Sequence, residues 1–252
     1  MSHKPRVVAI VPAMNEAQAI KHVVSGLLAL KRGGDRWIDQ VIVCDNASTD
    51  ETALCAKNAG ATVVHESIPG YGQACLTGMA HIGECDIVLF VDGDHSIFSE
   101  QATTLIEAIE SGHDMVIGSR TLGHIQKGAL TLPQRFGNWL ATRLIDVFWS
   151  YRFTDLGPFR AINREALDGL NMQDRRFGWT VEMQIKALQQ NLSICEVPVD
   201  SRLRIGKSKI SGTIKGVIGA GVGIIGTIIR LRITQYRSKK SNNTCEAKTS
   251  EV

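Results

Sequence analysis

Along the chain, short apolar runs alternate with stretches in which apolar positions recur every three to four residues. Residues 6–11, 40–44, 62–65, 87–91 and 115–118 read as strands, and residues 17–30, 49–59, 73–82 and 100–110 read as helices between them. This alternation predicts an α/β fold with a mostly parallel sheet and helices on both faces, its ligand held beyond the carboxyl ends of the strands. After Arg120 the rhythm changes. A loop at 123–132 precedes a long amphipathic helix at 133–149, an apolar run at 159–162, a helix at 181–190 and a strand at 193–197. A helix over 212–232 and a polar tail follow. The pattern divides the chain into a body (1–210), a basic amphipathic helical segment (211–240) and a tail (241–252) expected to be disordered.

With 252 residues and 44% hydrophobic content the chain can bury a substantial core, and 21% charge with a net +3 excludes collagen-like, coiled-coil and low-complexity classes. The charge is unevenly placed: residues 201–240 hold ten of the 28 basic residues and none of the 25 acidic ones, which points to an anionic partner. Few aromatics are interleaved there, which argues against nucleic acid. The six cysteines form no CxxC pair and read as reduced and structural. The first apolar run is too short for a signal peptide, so a cytoplasmic location is expected. The apolar stretch 216–229 reaches only about 21 Å as a helix against roughly 30 Å of bilayer core, so it does not span.

Candidate chemistry sits at the strand ends. Asp92, Gly93 and Asp94 directly follow the run 87–91, placing two carboxylates where a hard divalent ion and a diphosphate can meet, although DGD alone fits a plain turn equally well. Asp45 ends the preceding core strand and opens the polar loop DNASTD, where it can accept hydrogen bonds from a nucleobase or ribose or cap the next helix. Neither GxGxxG nor GxxxxGK[ST] is present, which weighs against dinucleotide and P-loop enzymes.

The ordered set PAMNE (12–16), DNASTDET (45–52), GYGQA (70–74), DGD (92–94) and GSR (118–120) resembles the nucleotide-sugar domain of family 2 glycosyltransferases. TDLGPFRAINRE (154–165), GWTVEMQIKA (178–187) and RLRIGKSKISG (202–212) are similar to its polyprenyl-phosphate branch, typified by dolichyl-phosphate mannose synthase. The resemblance implies a GT-A type fold in which Pro12, Glu16 and Asp45 hold the base and ribose and Asp92 and Asp94 flank the diphosphate. It implies that Asp94 binds Mg²⁺ or Mn²⁺, with Asp92 as the other carboxylate at the metal. Arg120 and Arg202 would contact phosphate, and Lys207 and Lys209 would reach the donor diphosphate or the acceptor phosphate. Asp155 matches an acid near the acceptor, with a salt bridge to Arg160 or Arg164 as its rival role. Three departures stand out: His95 and Ser96 follow the second aspartate where a glutamine is usual at the latter position, Met14 replaces a tyrosine, and Tyr71 replaces a lysine. No guanine-specific contact is evident, which favours a UDP-sugar over a GDP-sugar.

A sugar hydroxyl needs a general base, whereas a phosphate monoester with a second pKa near 6 is already largely ionised at neutral pH. No base stands out, which is compatible with a polyprenyl phosphate acceptor and direct displacement with inversion. Residues 211–240 would then lie in the headgroups of an anionic membrane surface, peripheral on its cytoplasmic face, each base contributing about 1 kcal/mol. Two rivals remain: a soluble glycosyltransferase acting on a hydroxyl with Asp155 or His95 as base, and a non-catalytic nucleotide-sugar-binding scaffold. A homo-oligomer or a separate membrane subunit is left open.

Overall fold

The computed structural model describes residues 4–206 and 214–249. Its elements in chain order are β1 (Val7–Ala13), α1 (Ile20–Ala29), the two-residue strands β2 (Lys31–Arg32) and β3 (Asp35–Arg36), β4 (Gln40–Asn46), α2 (Thr52–Asn58), β5 (Thr62–Glu66), α3 (Tyr71–Ala80) and β6 (Ile87–Phe90). A 3₁₀ turn (Ser99–Gln101) then leads into α4 (Ala102–Glu110), β7 (Met115–Ser119), α5 (Leu132–Trp149), β8 (Arg160–Asn163), α6 (Arg164–Leu170), α7 (Trp179–Gln189), β9 (Ile194–Pro198) and α8 (Ile214–Thr249).

The predicted alternation becomes a seven-stranded sheet in the order β5-β4-β1-β6-β8-β7-β9, parallel except for β8, which runs against β6 and β7. Helices cover both faces, so the central strands are apolar at consecutive positions rather than alternating. In β1, Val7, Ala9 and Val11 pack with α1, α2 and α4, while Ile10 faces the opposite layer, where α7 and α8 also pack. The order has its switch point at β1: the chain first moves outward through β4 to β5, then crosses to place β6 on the other side. The carboxyl ends of β1 and β6 therefore diverge into a crevice.

Three features depart from the sequence reading. The β2–β3 hairpin and α6 were not anticipated, and α8 continues past Arg232 to Thr249 through most of the tail expected to be disordered. No glycine or proline lies between 233 and 249, so nothing in the local sequence ends that helix. Among the described residues no helix is long and apolar enough to cross a membrane.

Candidate active site

At the switch point a cleft of about 460 Å³ is lined by Pro12, Glu16, Asn46, Tyr71, Asp92, Asp94, Arg176 and Arg204, among others. Parallel register brings its wall together: Pro12 lies beside Cys44 and Ala13 beside Asp45, and Ile10 beside Phe90, which directs the turn starting at Val91 into the same space. The loops leaving β1, β4 and β6 each carry a non-glycine residue with positive φ, namely Asn15, Ala47 and His95. Such conformations cost about 1–3 kcal/mol each and cluster where the surrounding structure holds a functional loop in place. Asn15 is fixed by Ser48 and Thr49: its N–H donates to Ser48 Oγ at 2.9 Å and its Oδ1 accepts from Thr49 N at 2.7 Å.

Glycines set the opposite wall. A Cβ on Gly72 would lie 2.0 Å from the carbonyl oxygen of Asp174, so only glycine lets the start of α3 meet the 174–176 loop, where Gly72 N donates to Arg176 O at 3.1 Å. Asn46 ties the same wall to β4, accepting from Gly70 N at 2.7 Å and donating to Ile68 O at 2.7 Å.

The two aspartates of the DGD turn differ in surroundings. Tyr71 donates its phenol to Asp92 Oδ1 at 3.1 Å. Burial raises the Asp92 pKa above the ordinary carboxylate range, against the lowering effects of that hydrogen bond and of Arg204 and Arg120. Asp94 is buried; its Oδ1 accepts from Ser96 N at 2.9 Å and its Oδ2 pairs with Arg204. The backbone reinforces that pairing, with Ile205 N donating to Asp94 O at 3.0 Å and Arg202 N to Ser96 O at 2.9 Å.

Of the predicted site residues, Pro12, Glu16, Asp92 and Asp94 meet in this cleft. Asp45 is buried beside it, its Oδ2 3.1 Å from His65 Nδ1, while its buried Oδ1 has no hydrogen-bond partner. Arg202 does not line the cleft. It grips the back of the DGD turn, donating to His95 O at 2.8 Å and Ile97 O at 3.1 Å, meeting His95 Nε2, and stacking over Phe98 at 4.2 Å. Burial, and then Arg202 and His22, push the His95 imidazole below its ordinary pKa. Lys207 and Lys209 lie outside the described residues.

Arg120 and Asp155 come together elsewhere. Asp155 Oδ2 accepts from Arg120 N and Nε at 2.9 and 2.8 Å, and Oδ1 from Nη2 at 2.8 Å. The salt-bridge partner of Asp155 is thus Arg120, not Arg160 or Arg164. Arg160 is instead buried in the sheet, donating to the carbonyls of Gly157, Leu156 and Thr180, and burial lowers its pKa to about 10. Arg164 pairs with Asp168. Arg120 also lines a second cavity, of about 680 Å³, with Arg135, Asn138 and Arg152. Sequence reasoning passed over Arg204, Arg176 and the role of Tyr71. The signal for Arg204 was present in RLRIG, where two arginines stand two residues apart and only one was chosen.

The profile of glycosyl transferase family 2 matches residues 8–170, spanning both the DGD turn and the β1 and β4 loops. The chain belongs to this family. An uncharacterized glycosyltransferase of Mycobacterium tuberculosis is 32% identical over 221 residues, covering 84% of this chain and 93% of its own length. A dolichyl-phosphate hexose transferase of Haloferax volcanii is 29% identical over 199 residues, 78% of this chain and 82% of that protein, which bears out the resemblance to the polyprenyl-phosphate branch. Among solved structures, glucosyl-3-phosphoglycerate synthase from Mycobacterium tuberculosis, in complex with Mn²⁺, UDP and phosphoglyceric acid, matches with a TM-score of 0.72. That match covers 90% of this chain and 78% of the other at 20% identity, a likeness of fold that bears out the GT-A type.

Proposed function

We propose that this family 2 glycosyltransferase moves a hexose from a nucleoside diphosphate sugar to a polyprenyl phosphate, with inversion at the anomeric carbon, at the cytoplasmic face of a membrane. The observation that carries the reading is the convergence of Asp92, Asp94, Glu16 and Arg204 in one cleft at the sheet's switch point. Mg²⁺ and Mn²⁺ sites commonly combine one or two carboxylates with substrate phosphates, so the Asp92–Asp94 donor set fits either ion. Bound there, the ion would neutralise charge on the departing diphosphate. Among the described residues no group of three or more His, Cys, Asp or Glu side chains is placed to hold a metal ion, and this reading gives the ion the two carboxylates of the turn.

Each other group has a task set by its environment. The unpartnered Asp45 Oδ1 offers one buried acceptor, Oδ2 being engaged by His65, which suits the single imide N–H of uracil better than the paired N–H groups of guanine. A UDP-sugar is therefore favoured. Arg204 faces the diphosphate side of the cleft, and its planar fork suits phosphate oxygens. Arg202 acts through position, holding residues 95–97 so that Asp94 is presented. Asp155 orients Arg120 toward the second cavity, where Arg120, Arg135 and Arg152 form a cationic lining for the acceptor phosphate. That phosphate is already ionised near neutral pH and needs no base.

The test offers the protein Mg²⁺ or Mn²⁺, polyprenyl phosphate and a panel of labelled UDP- and GDP-sugars, and follows label into the organic phase. Transfer by wild type and not by Asp94→Asn, with inverted configuration in the product, is expected. Donor hydrolysis without lipid labelling would redirect the reading to a hydroxyl acceptor. Nucleotide-sugar binding with neither transfer nor hydrolysis would leave the non-catalytic scaffold.

A further inference from the structure

Helix α5 buries one side and exposes an apolar stripe on the other. Its buried residues are Ala141, Thr142 and Ile145. Opposite them, Leu132, Phe136, Trp139 and Val147 are exposed, Leu132 at 79%. With Arg143 they follow the helical period and fall within about 80° of one another around the axis. Helix α8 repeats the arrangement: Thr227, Ile228 and Leu231 are buried, while Val222, Ile229, Ile233 and Tyr236 are exposed within about 60°. Ala141, Ile145, Ile228 and Leu231 all enter the same apolar cluster, and Arg232 of α8 lies over the Phe148 and Trp149 rings of α5. The two helices are therefore neighbours, and on each the stripe lies on the side turned away from that shared cluster.

We infer that α5 and α8 together form a docking platform for an anionic lipid bilayer, with the α5 stripe as a contact in its own right rather than a passive body helix. The inference rests on the membrane-proximal reading above and extends it from the basic C-terminal segment to α5. Charge complementarity selects the partner. Exposed Arg135 borders the α5 stripe, Arg143 lies within it, and exposed Arg230, Arg232 and Arg237 border the α8 stripe. Asp146 pairs with Arg143 at 2.6 Å, and Asp174 with Arg230 at 3.7 Å and with the Thr227 hydroxyl at 3.0 Å, so among the described residues the uncompensated charge at the stripes is that of Arg135, Arg232 and Arg237. Apolar side chains rimmed by guanidinium groups, with Trp139 and Tyr236 as amphipathic rings, match the boundary between headgroups and acyl chains. The stripes are about 22 and 21 Å long, so they lie on the surface rather than cross it.

The test uses the full chain with vesicles of phosphatidylcholine containing about 30% phosphatidylglycerol, without donor or polyprenyl phosphate. Trp139 is the one exposed tryptophan, since Trp37 and Trp179 are buried and Trp149 is half-buried. Its fluorescence should be quenched by lipids brominated on the acyl chains, and Trp139→Phe should remove that quenching. In flotation, Phe136→Ser/Trp139→Ser and Ile229→Ser/Ile233→Ser should each weaken binding by about tenfold or more, with unchanged nucleotide binding reporting an intact fold. The four changes together should abolish binding. Wild-type binding by the α5 variant, or no quenching of Trp139, would overturn the inference. So would a self-association in sedimentation velocity that the α5 variant abolishes while leaving vesicle binding intact, since the stripe would then belong to a second copy. Sugar transfer does not enter these readouts, so failure of the proposed reaction and failure of the platform are separable.

Discussion

Two acidic sites at the carboxyl edge of the sheet are built to opposite rules. Asp155 is held on both oxygens: it accepts from three donors of Arg120, one of them backbone, and its carbonyl accepts from Gln184 Nε2 at 3.0 Å. The Asp92–Asp94 turn is left open: Asp92 receives one phenol on Oδ1, and Asp94 keeps one oxygen for a single backbone N–H and the other for a side chain that reaches in from the segment after β9. A carboxylate with three of its roughly four lone-pair sites taken by one residue of the fold orients that partner and has little left for a ligand. One held by few, exchangeable partners can take a ligand in their place. Under the proposed function, chemistry falls to the turn and positioning to Asp155.

The largest effect expected from breaking this contrast is at the turn itself. Asp94→Asn keeps the side-chain volume and an acceptor for Ser96 N but removes the charge, and sugar transfer should fall by about a thousandfold or more with little change in thermal stability. Next comes Arg120→Met, which leaves the buried Asp155 without its charge partner, holding only the backbone N–H of residue 120, and should destabilise the fold by about 3 kcal/mol, read by denaturant unfolding. If transfer fell without a stability loss, Asp155 would be less dependent on Arg120 than its geometry says. Gly72→Ala touches neither acid. By forcing the 174–176 loop off the start of α3 it should cost about 1–3 kcal/mol and weaken nucleotide binding, measured by titration calorimetry.

The smallest effect sharpens the comparison. Tyr71→Phe removes the hydrogen bond that favours ionised Asp92, so its pKa, already raised by burial, should rise further. Protons compete with a cation for that carboxylate, so the acid limb of Mn²⁺ binding should shift to higher pH, with binding unchanged well above it. An unmoved acid limb would separate Asp92 from the metal.

Much of the donor side was legible because its groups are local to strand ends. The run 87–91 followed by DGD, and 40–44 followed by Asp45, announce a carboxyl edge without knowledge of any distant residue. The guanidinium partners were not legible in the same way. Arg120 reaches Asp155 across 35 residues, and Arg202 reaches His95 across 107, while Arg204, its neighbour but one, turns into the cleft. No spacing rule decides between two arginines when the chain that carries them returns from so far.

The amino-acid order by itself determined the α/β alternation, the carboxyl-edge placement of Asp45, Asp92 and Asp94, and the basic character of the C-terminal segment, because periodicity, strand termination and charge are properties of neighbouring residues. Tertiary structure alone decided which arginine meets which aspartate and which apolar face of α5 stays uncovered. Periodicity shows that a helix has apolar faces; only the packing of α7 and α8 around it settles which of them meets the core and which meets the outside.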